Sequence, residues 1–382
     1  MKIIILGGGL VGSVIARDLQ NEFSVSIADV SKERLQFLKE KFSLNGIEAD
    51  LSNVKTIKNI VKDFDLVIGA VPGFLGFDML QAVIEAKKNI VDISFFPEDA
   101  FELDKLAKKN NVTAIVDCGV APGSSNLIIG YHHAQMDEVE NVECYVGGLP
   151  VMRELPFEYK IVFSPVDVIE EYTRPARIIE NGNVVVKDAL SEITLHKFHN
   201  VGTLESFNSD GLRSLMKTIN ANNMKEKTLR YPGHAEKMKL FRETGFFSKE
   251  EISLNGKLVR PLDVTAKLLF PKWKLNEGEE DLTVLQVIVE GKERKKRVRY
   301  QYDMLDRYDK ESKITSMART TGYTCSVAAR LVAKKLYTQK GISPPEFIGA
   351  KKQCFDFMMN GLYERNIVFQ KERNDICKEK QC

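Results

Sequence analysis

Residues 2–12 read Lys2-Ile3-Ile4-Ile5-Leu6-Gly7-Gly8-Gly9-Leu10-Val11-Gly12, and this stretch decides the fold of the first part of the chain. Lys2 to Leu6 is a continuous β-branched and apolar run, the pattern of a strand buried on both faces as parallel sheets require. Ser13 to Leu19 follows with Val14, Ile15 and Leu19 at helical spacing. The glycines at 7, 9 and 12 therefore form Gly-x-Gly-x-x-Gly between a strand and a helix, the context in which that pattern carries information. Gly7 permits a tight turn, Gly9 lets the N–H groups leading into Leu10 and Val11 approach a pyrophosphate, and Gly12 lets the helix pack on the strand. A second strand, Ser24 to Ala28, ends in Asp29, an acid placed to accept the adenosine ribose hydroxyls and to repel a 2′-phosphate. The expected cofactor is NAD. Lys32 and Arg34 come next; they could serve a phosphate, but on the following helix such cations are more often solvated surface.

Outward from this unit the alternation continues through strands at Ile47–Ala49, Asp65–Val71, Asn89–Ile93 and Val112–Val116, with amphipathic stretches at Ser52–Lys62 and Glu98–Lys109. Six strands with helical crossovers give an α/β fold with a Rossmann-type doubly wound parallel sheet, whose ligands lie beyond the carboxyl ends of the strands. Those ends are Gly69–Pro72, Asp92–Phe95 and Asp117-Cys118-Gly119, so Val71, Pro72, Ser94 and Gly119 join the candidate cofactor contacts. A helix at Ser125–Gln135 follows.

Thereafter crossover helices thin out and strand-like runs accumulate: Asn141–Val146, Glu158–Ser164, Val184–Val186, Lys257–Val259, Leu282–Glu290 and Arg297–Tyr302. The expected organisation is a Rossmann domain at 1–125, a second α+β domain at 126–320 with a mainly antiparallel sheet, and a helical segment at 321–382 that packs back on the first domain. Within it Thr321–Tyr337 reads as a strong helix opened by Thr320 and Thr321 as N-caps. The charged run Gly291–Arg299 reads as an exposed hairpin with an edge strand.

Composition narrows the function. A 382-residue chain with 43% hydrophobic and 28% charged residues is an ordinary globular protein, and a net charge of +2 calls for neither nucleic acid nor an anionic membrane. There is no run of eighteen apolar residues, and no charged region followed by an apolar stretch at the start, so a cytoplasmic setting is expected. Cys118, Cys144, Cys325, Cys354, Cys377 and Cys382 are scattered and form no Cys-x-x-Cys pair, consistent with reduced thiols and no metal site. His132, His133, His196 and His199 show no ligand or triad spacing.

Five further phrases carry a resemblance: Asp117–Asn126 (DCGVAPGSSN), Tyr145–Pro150 (YVGGLP), Phe157–Ser164 (FEYKIVFS), Arg230–Lys237 (RYPGHAEK) and Met317–Tyr323 (MARTTGY). In this order, behind the glycine fingerprint, they resemble the saccharopine dehydrogenase family, over nearly the whole chain. Gly233-His234-Ala235-Glu236-Lys237 is similar to the lysine 6-dehydrogenase members of that family. The resemblance implies NAD-dependent oxidative deamination of the ε-amine of L-lysine, giving 2-aminoadipate 6-semialdehyde and ammonia, with a small amino acid as ligand; the strand-rich second domain could pair across a two-fold axis, so a homodimer or higher homo-oligomer is expected.

Such chemistry needs a base or a dry pocket, because an ε-ammonium has a pKa of about 10.4, and a cation to hold the α-carboxylate. His234 is the candidate base, with a hydrogen-bonded structural histidine as the other reading. Asp117 holds the amine or caps the helix after Gly123. Arg230 and Arg319 are candidates for the carboxylate clamp or for internal salt bridges, with Lys237 and Lys160 as further cations. Tyr159 orients the substrate or belongs to a core. A saccharopine dehydrogenase or reductase acting on a secondary amine, a non-catalytic NAD-binding regulator and a polyamine-synthesis enzyme stay open as alternatives, though Asp29 counts against the NADPH preference expected of the last.

Overall fold

A computed structural model describes residues 1–162 and 165–376. Cys377, Cys382 and the last two residues of the Phe157–Ser164 phrase lie outside the described residues. The first elements alternate: β1 (Lys2–Leu6), α1 (Leu10–Leu19), β2 (Ser24–Asp29), α2 (Lys32–Phe42), β3 (Asn45–Glu48), α3 (Val54–Ile60), β4 (Leu66–Gly69), α4 (Gly73–Glu85), β5 (Asn89–Asp92), α5 (Asp104–Lys109), β6 (Thr113–Ile115) and α6 (Ser124–Gln135). Ser31 and Asn53 cap α2 and α3 by accepting N–H groups of the first turns, which fixes where those helices begin. The stretch expected to be helical from Glu98 instead opens with a 3-10 turn at Ala100–Leu103, where Asp99 accepts the Phe101 N–H.

The second region holds β7 (Glu138–Pro150), α7 (Pro165–Thr173), β8 (Ala176–Glu180), β9 (Asn183–Lys187), β10 (Thr194–Phe198), β11 (Gly202–Asn208), α8 (Leu215–Thr218), β12 (Ala221–Arg230), α9 (His234–Glu243), β13 (Ile252–Leu254), β14 (Lys257–Val259), α10 (Pro261–Trp273), β15 (Asp281–Glu293) and β16 (Lys296–Arg307). The chain closes with α11 (Ser316–Ala333), β17 (Gly341–Ser343), α12 (Pro345–Gly349), α13 (Lys352–Tyr363) and β18 (Phe369–Asp375). Two compact units result, one of Met1–Gln135 with Ala318–Val368, the other of Met136–Met317 with the residues from Phe369 onward.

In the first unit the described strands form a seven-stranded parallel sheet in the order β17-β6-β5-β4-β1-β2-β3. The order reverses between β1 and β4, so the crevice for a ligand opens at their carboxyl ends. Ile3 to Leu6 are fully buried, as the apolar run requires. Six strands were expected and a seventh, β17, comes from the far end of the sequence. The C-terminal segment is thus not wholly helical, and its last strand, β18, belongs to the second unit.

The sheet of the second unit is mixed. Its described strands run β10-β11-β12-β7-β15-β16-β18, with β8 joined to β12 and β9 to β8. β7 pairs parallel with β12, while β15 and β16 continue antiparallel. The expected hairpin is present: Glu293 faces Lys296, and Arg294 and Lys295 both take left-handed φ values of 49° and 67°, the geometry of a tight two-residue turn. It is not an edge, however, because β18 pairs with β16 and itself carries Lys371, Glu372 and Arg373 as the charged outer strand.

Helix α11 also starts earlier than its sequence suggests. The buried carboxylate of Asp281 accepts the N–H groups of Ser316 and Met317 at 2.7 and 3.0 Å, a cap supplied from β15, so Thr320 and Thr321 lie inside the helix. It ends at Ala333 because Lys335 turns left-handed and Leu336 N–H bonds back to Leu331, closing a Schellman motif.

Candidate functional site

In the first unit the three glycines do different jobs. A Cβ on Gly7, where φ is 112°, would meet the Ala70 carbonyl oxygen at 2.2 Å, and one on Gly12 would meet the Gly7 carbonyl oxygen at 2.0 Å. Both are demanded by the fold itself. Gly9 is different: nothing lies within 4 Å of the position its Cβ would take. It stands at the N-cap of α1 with no side-chain cap, so the N–H groups of Leu10, Val11 and Gly12 face outward without an intrahelical partner. An open cradle lined by donors at a helix N-terminus fits a pyrophosphate. Asp29 fits the adenosine end: its Oδ2 accepts the Gly8 N–H at 2.7 Å and its Oδ1 the Ser31 N–H at 2.9 Å, which fixes the carboxylate at the tip of β2.

The remaining strand ends are tightly organised. Ser94 donates its hydroxyl to Asp92 Oδ1 at 2.8 Å, and Gly69 leaves room for that carboxylate, since a Cβ there would approach Asp92 Oδ1 to 2.2 Å. Val71 is buried and Pro72 is the exposed N-cap of α4. Asp117 is buried and holds a left-handed φ of 53° at the end of β6, and Gly119 donates its N–H to the Pro122 carbonyl in the next turn. Such a backbone conformation is uncommon outside glycine, asparagine and aspartate and is found at ligand sites.

In the second unit the phrase Arg230–Lys237 leaves β12 and enters α9. Arg230 is 2% exposed and its guanidinium is largely spoken for. One nitrogen pairs with Glu171, another donates to the Leu229 carbonyl at 2.9 Å, and Nε reaches the Tyr172 hydroxyl at 3.4 Å. Burial works against its charge, but Tyr172 and Glu171 more than restore it. Burial also pushes the Glu171 carboxyl up, although Arg230 opposes that shift.

His234 follows at the first position of α9 and is 1% exposed. Its Nδ1 lies 3.0 Å from the Phe157 carbonyl, which can only accept, so Nδ1 carries the proton and Nε2 accepts from Tyr172 at 3.0 Å. Burial, and then the nearby Arg230, push its pKa down to about 3. Tyr159 is 2% exposed beneath the Arg230 guanidinium, 4.7 Å from ring centroid to Cζ, and its hydroxyl makes no hydrogen bond among the described residues. Glu205, opposite Arg230 on β11, accepts the Gly233 and Ala235 N–H groups at 2.8 and 2.5 Å and so pins the start of α9.

The structure thus brings Arg230, His234 and Tyr159 together and keeps Lys237 near by, with its Nζ 3.7 Å from the Cβ position of Gly233. Both ring nitrogens of His234 are hydrogen-bonded within the fold, the arrangement of its structural reading. Arg319 lies in the other unit, buried, donating to the Arg365 carbonyl at 3.1 Å and stacked 5.5 Å over Tyr323. Lys160 is held between Glu154 and Glu279, at 3.1 and 3.3 Å. Sequence reasoning missed Glu171, Tyr172 and Glu205. No local signal marks them, since they meet Arg230 and His234 only through α7 and the β11–β12 pairing.

A nucleotide cradle on a parallel sheet, followed by a mixed-sheet unit with Arg230 buried among Glu171, Tyr172 and His234, fits the two-domain nicotinamide-dependent oxidoreductases that the chain matches. Residues 3–115 match the saccharopine dehydrogenase NADP binding domain and residues 119–367 the saccharopine dehydrogenase C-terminal domain. The chain belongs to the saccharopine dehydrogenase family. It is 26% identical over 265 residues to the mitochondrial alpha-aminoadipic semialdehyde synthase of Mus musculus, a match covering 65% of this chain and 29% of that protein. The chain therefore aligns with less than a third of that relative. It is 22% identical to the saccharopine dehydrogenase [NADP(+), L-glutamate-forming] of Schizosaccharomyces pombe, covering 90% of this chain and 93% of the relative. The fold matches the apo saccharopine dehydrogenase (L-Glu forming) of Saccharomyces cerevisiae with a TM-score of 0.78 at 18% identity, covering 98% and 99% of the two chains.

Proposed function

We propose that the protein is an NAD-dependent amino-acid dehydrogenase that oxidises the ε-amine of L-lysine. The ε-C–H hydrogen would leave with its bonding pair as hydride, and the nitrogen would give up a proton as the C=N bond forms. Water then adds and the C–N bond breaks, giving 2-aminoadipate 6-semialdehyde and ammonia. A bound nicotinamide supplies the two-electron acceptor.

One observation carries the choice of lysine. Among the described residues of the arginine cluster, Arg230 is paired with Glu171 and Lys160 with Glu154 and Glu279, whereas Lys237 has no carboxylate partner. One uncommitted cation suits a substrate with a single carboxylate. Saccharopine carries three, and each would need its own positive partner. In this reading Lys237 and the Tyr159 hydroxyl hold the α-carboxylate, while Arg230 and His234 keep Tyr159 and Tyr172 in place. Gly9, the amides of residues 10–12 and Asp29 hold the cofactor.

The deciding experiment is NADH formation by the purified protein with lysine, saccharopine, ornithine and diamines offered separately. Lysine is expected to give the highest kcat/KM. Faster turnover of saccharopine would replace this reading with a saccharopine dehydrogenase activity like that of the Schizosaccharomyces pombe relative.

A further inference from the structure

The two halves of the Arg230–Glu171 pair are unequally buried. The arginine side chain is 3% exposed and the glutamate side chain 22%, so the carboxylate forms the edge of the cluster that faces solvent. Its Oε2 accepts from Arg230 Nη2, while its Oε1 has no partner among the described residues. The neighbouring acid on α7 is placed differently, since Glu170 is held by Lys249 at 2.8 Å and by Arg174 at 3.5 Å. Burial pushes the Glu171 carboxyl up further than Arg230 brings it down, and Asp167, one turn earlier on α7, pushes it the same way. The carboxylate is therefore short of positive charge. Beneath the same guanidinium lies Tyr159, 2% exposed, whose hydroxyl is also unfilled among the described residues.

From this we infer that Glu171 recognises the α-ammonium group of the substrate through Oε1, and that the protein thereby selects α-amino acids over amines that lack that group. The inference rests on the lysine reading above and adds a residue to it: Tyr159 and Lys237 take the α-carboxylate, and Glu171 takes the ammonium on the same carbon. A carboxylate suits an ammonium because N–H bonds between two charged groups are short and strong. Arg230 fixes the carboxylate before the ligand arrives, so little side-chain freedom is lost on binding. A water on Oε1 would satisfy the oxygen without supplying the missing charge. Glu171 thus serves both as counter-charge to Arg230 and as a ligand for substrate, and a change of substrate separates the two roles.

The test is the initial rate of NADH formation with lysine and with 6-aminohexanoate, in which hydrogen replaces the α-amino group. On the unmodified protein the analogue is expected to show a KM about ten- to a hundredfold above that of lysine, the range for one charged hydrogen bond. Equal KM values would overturn the inference. In Glu171→Gln, checked by thermal melting, the ratio of kcat/KM between lysine and 6-aminohexanoate should fall by at least about tenfold, because only lysine loses a contact to the missing charge. A residue that serves Arg230 alone would slow both substrates equally and leave the ratio unchanged, which would overturn the inference. Should that variant melt too low to assay, Arg230→Met with Glu171→Gln, which leaves neither member of the pair as a lone buried charge, is read in its place. The same fall in the ratio is expected, and a ratio kept at the wild-type value would overturn the inference. A wild type that turns over no lysine would instead overturn the lysine reading itself.

Discussion

Replacing His234 with glutamine removes a buried imidazole that is neutral in the fold but titrates in the unfolded chain. The effect can be worked from its pKa, pushed down to about 3 by burial and Arg230, against an ordinary value of 6.5. Between those values the unfolded chain binds a proton that the folded chain refuses, so stability is fully present above pH 6.5 and is lost progressively as the pH falls toward 3. From pH 7.5 down to 5.0 this one residue removes about 2 kcal/mol, the free energy of protonating the unfolded imidazole 1.5 log units below its pKa. Urea denaturation at the two pH values measures it. The wild type should lose about 2 kcal/mol more than His234→Gln over that interval, because the amide does not titrate. The comparison must be made between variants, since Glu226, considered next, acts in the opposite sense across the same range. Parallel losses would refute the assignment of a buried neutral histidine. The kinetic counterpart is equally exposed to test: a group with both nitrogens engaged gives no acid limb near pH 6 to 8, so such a limb present in the wild type and absent in His234→Gln would return the histidine to the role of base.

Glu226 is buried among Ser209 and Thr228, and burial pushes its pKa up to about 8, so its contribution is present below 4.5 and lost as the pH rises through 8; Glu226→Gln should gain stability relative to wild type over that rise, measured by urea denaturation. Gly9→Ala should melt within about 1 kcal/mol of wild type, because no atom crowds the new Cβ, yet bind NADH at least tenfold more weakly by fluorescence; Gly12→Ala should lose both. Glu171→Gln leaves the Arg230 guanidinium buried without its counter-charge and should cost about 3 to 5 kcal/mol in denaturation, whereas Arg230→Met with Glu171→Gln should recover part of that loss. Lys237→Ala should raise the KM for lysine by one to two orders of magnitude, the loss of a charged hydrogen bond of about 1.5 to 3 kcal/mol, with little change in melting temperature.

What could be read from the chain, and what could not, follows from the range of the interactions. The run from Lys2 to Gly12 and the acid at Asp29 are local: strand burial, the turn and the helix start are each written in a few adjacent residues, and the parallel sheet confirms them. β17 has three residues and becomes a strand only because β6 offers it an edge, so no periodicity announces it. The parallel pairing of β7 with β12 joins segments some eighty residues apart, and nothing within either strand distinguishes it from the antiparallel neighbours. The candidate substrate cluster is the sharpest instance. Arg230 and His234 stand in one phrase and suggest a clamp and a base while viewed alone. Glu171 and Tyr172 arrive from α7, the one pairing with Arg230 and the other hydrogen-bonding His234, contacts that the phrase itself does not announce. Arg34, a cation that its own helix leaves open between surface and phosphate ligand, likewise meets partners that the sequence does not announce, the carbonyls of Gly8 and Gly9. A charged side chain in a sequence is therefore an offer of chemistry whose sign depends on its partner. In this protein the partners that decide are tens of residues away, at the glycine loop as in the candidate substrate cluster, since Asp29 and Arg34 both reach Gly8 from the end of β2 and the start of α2.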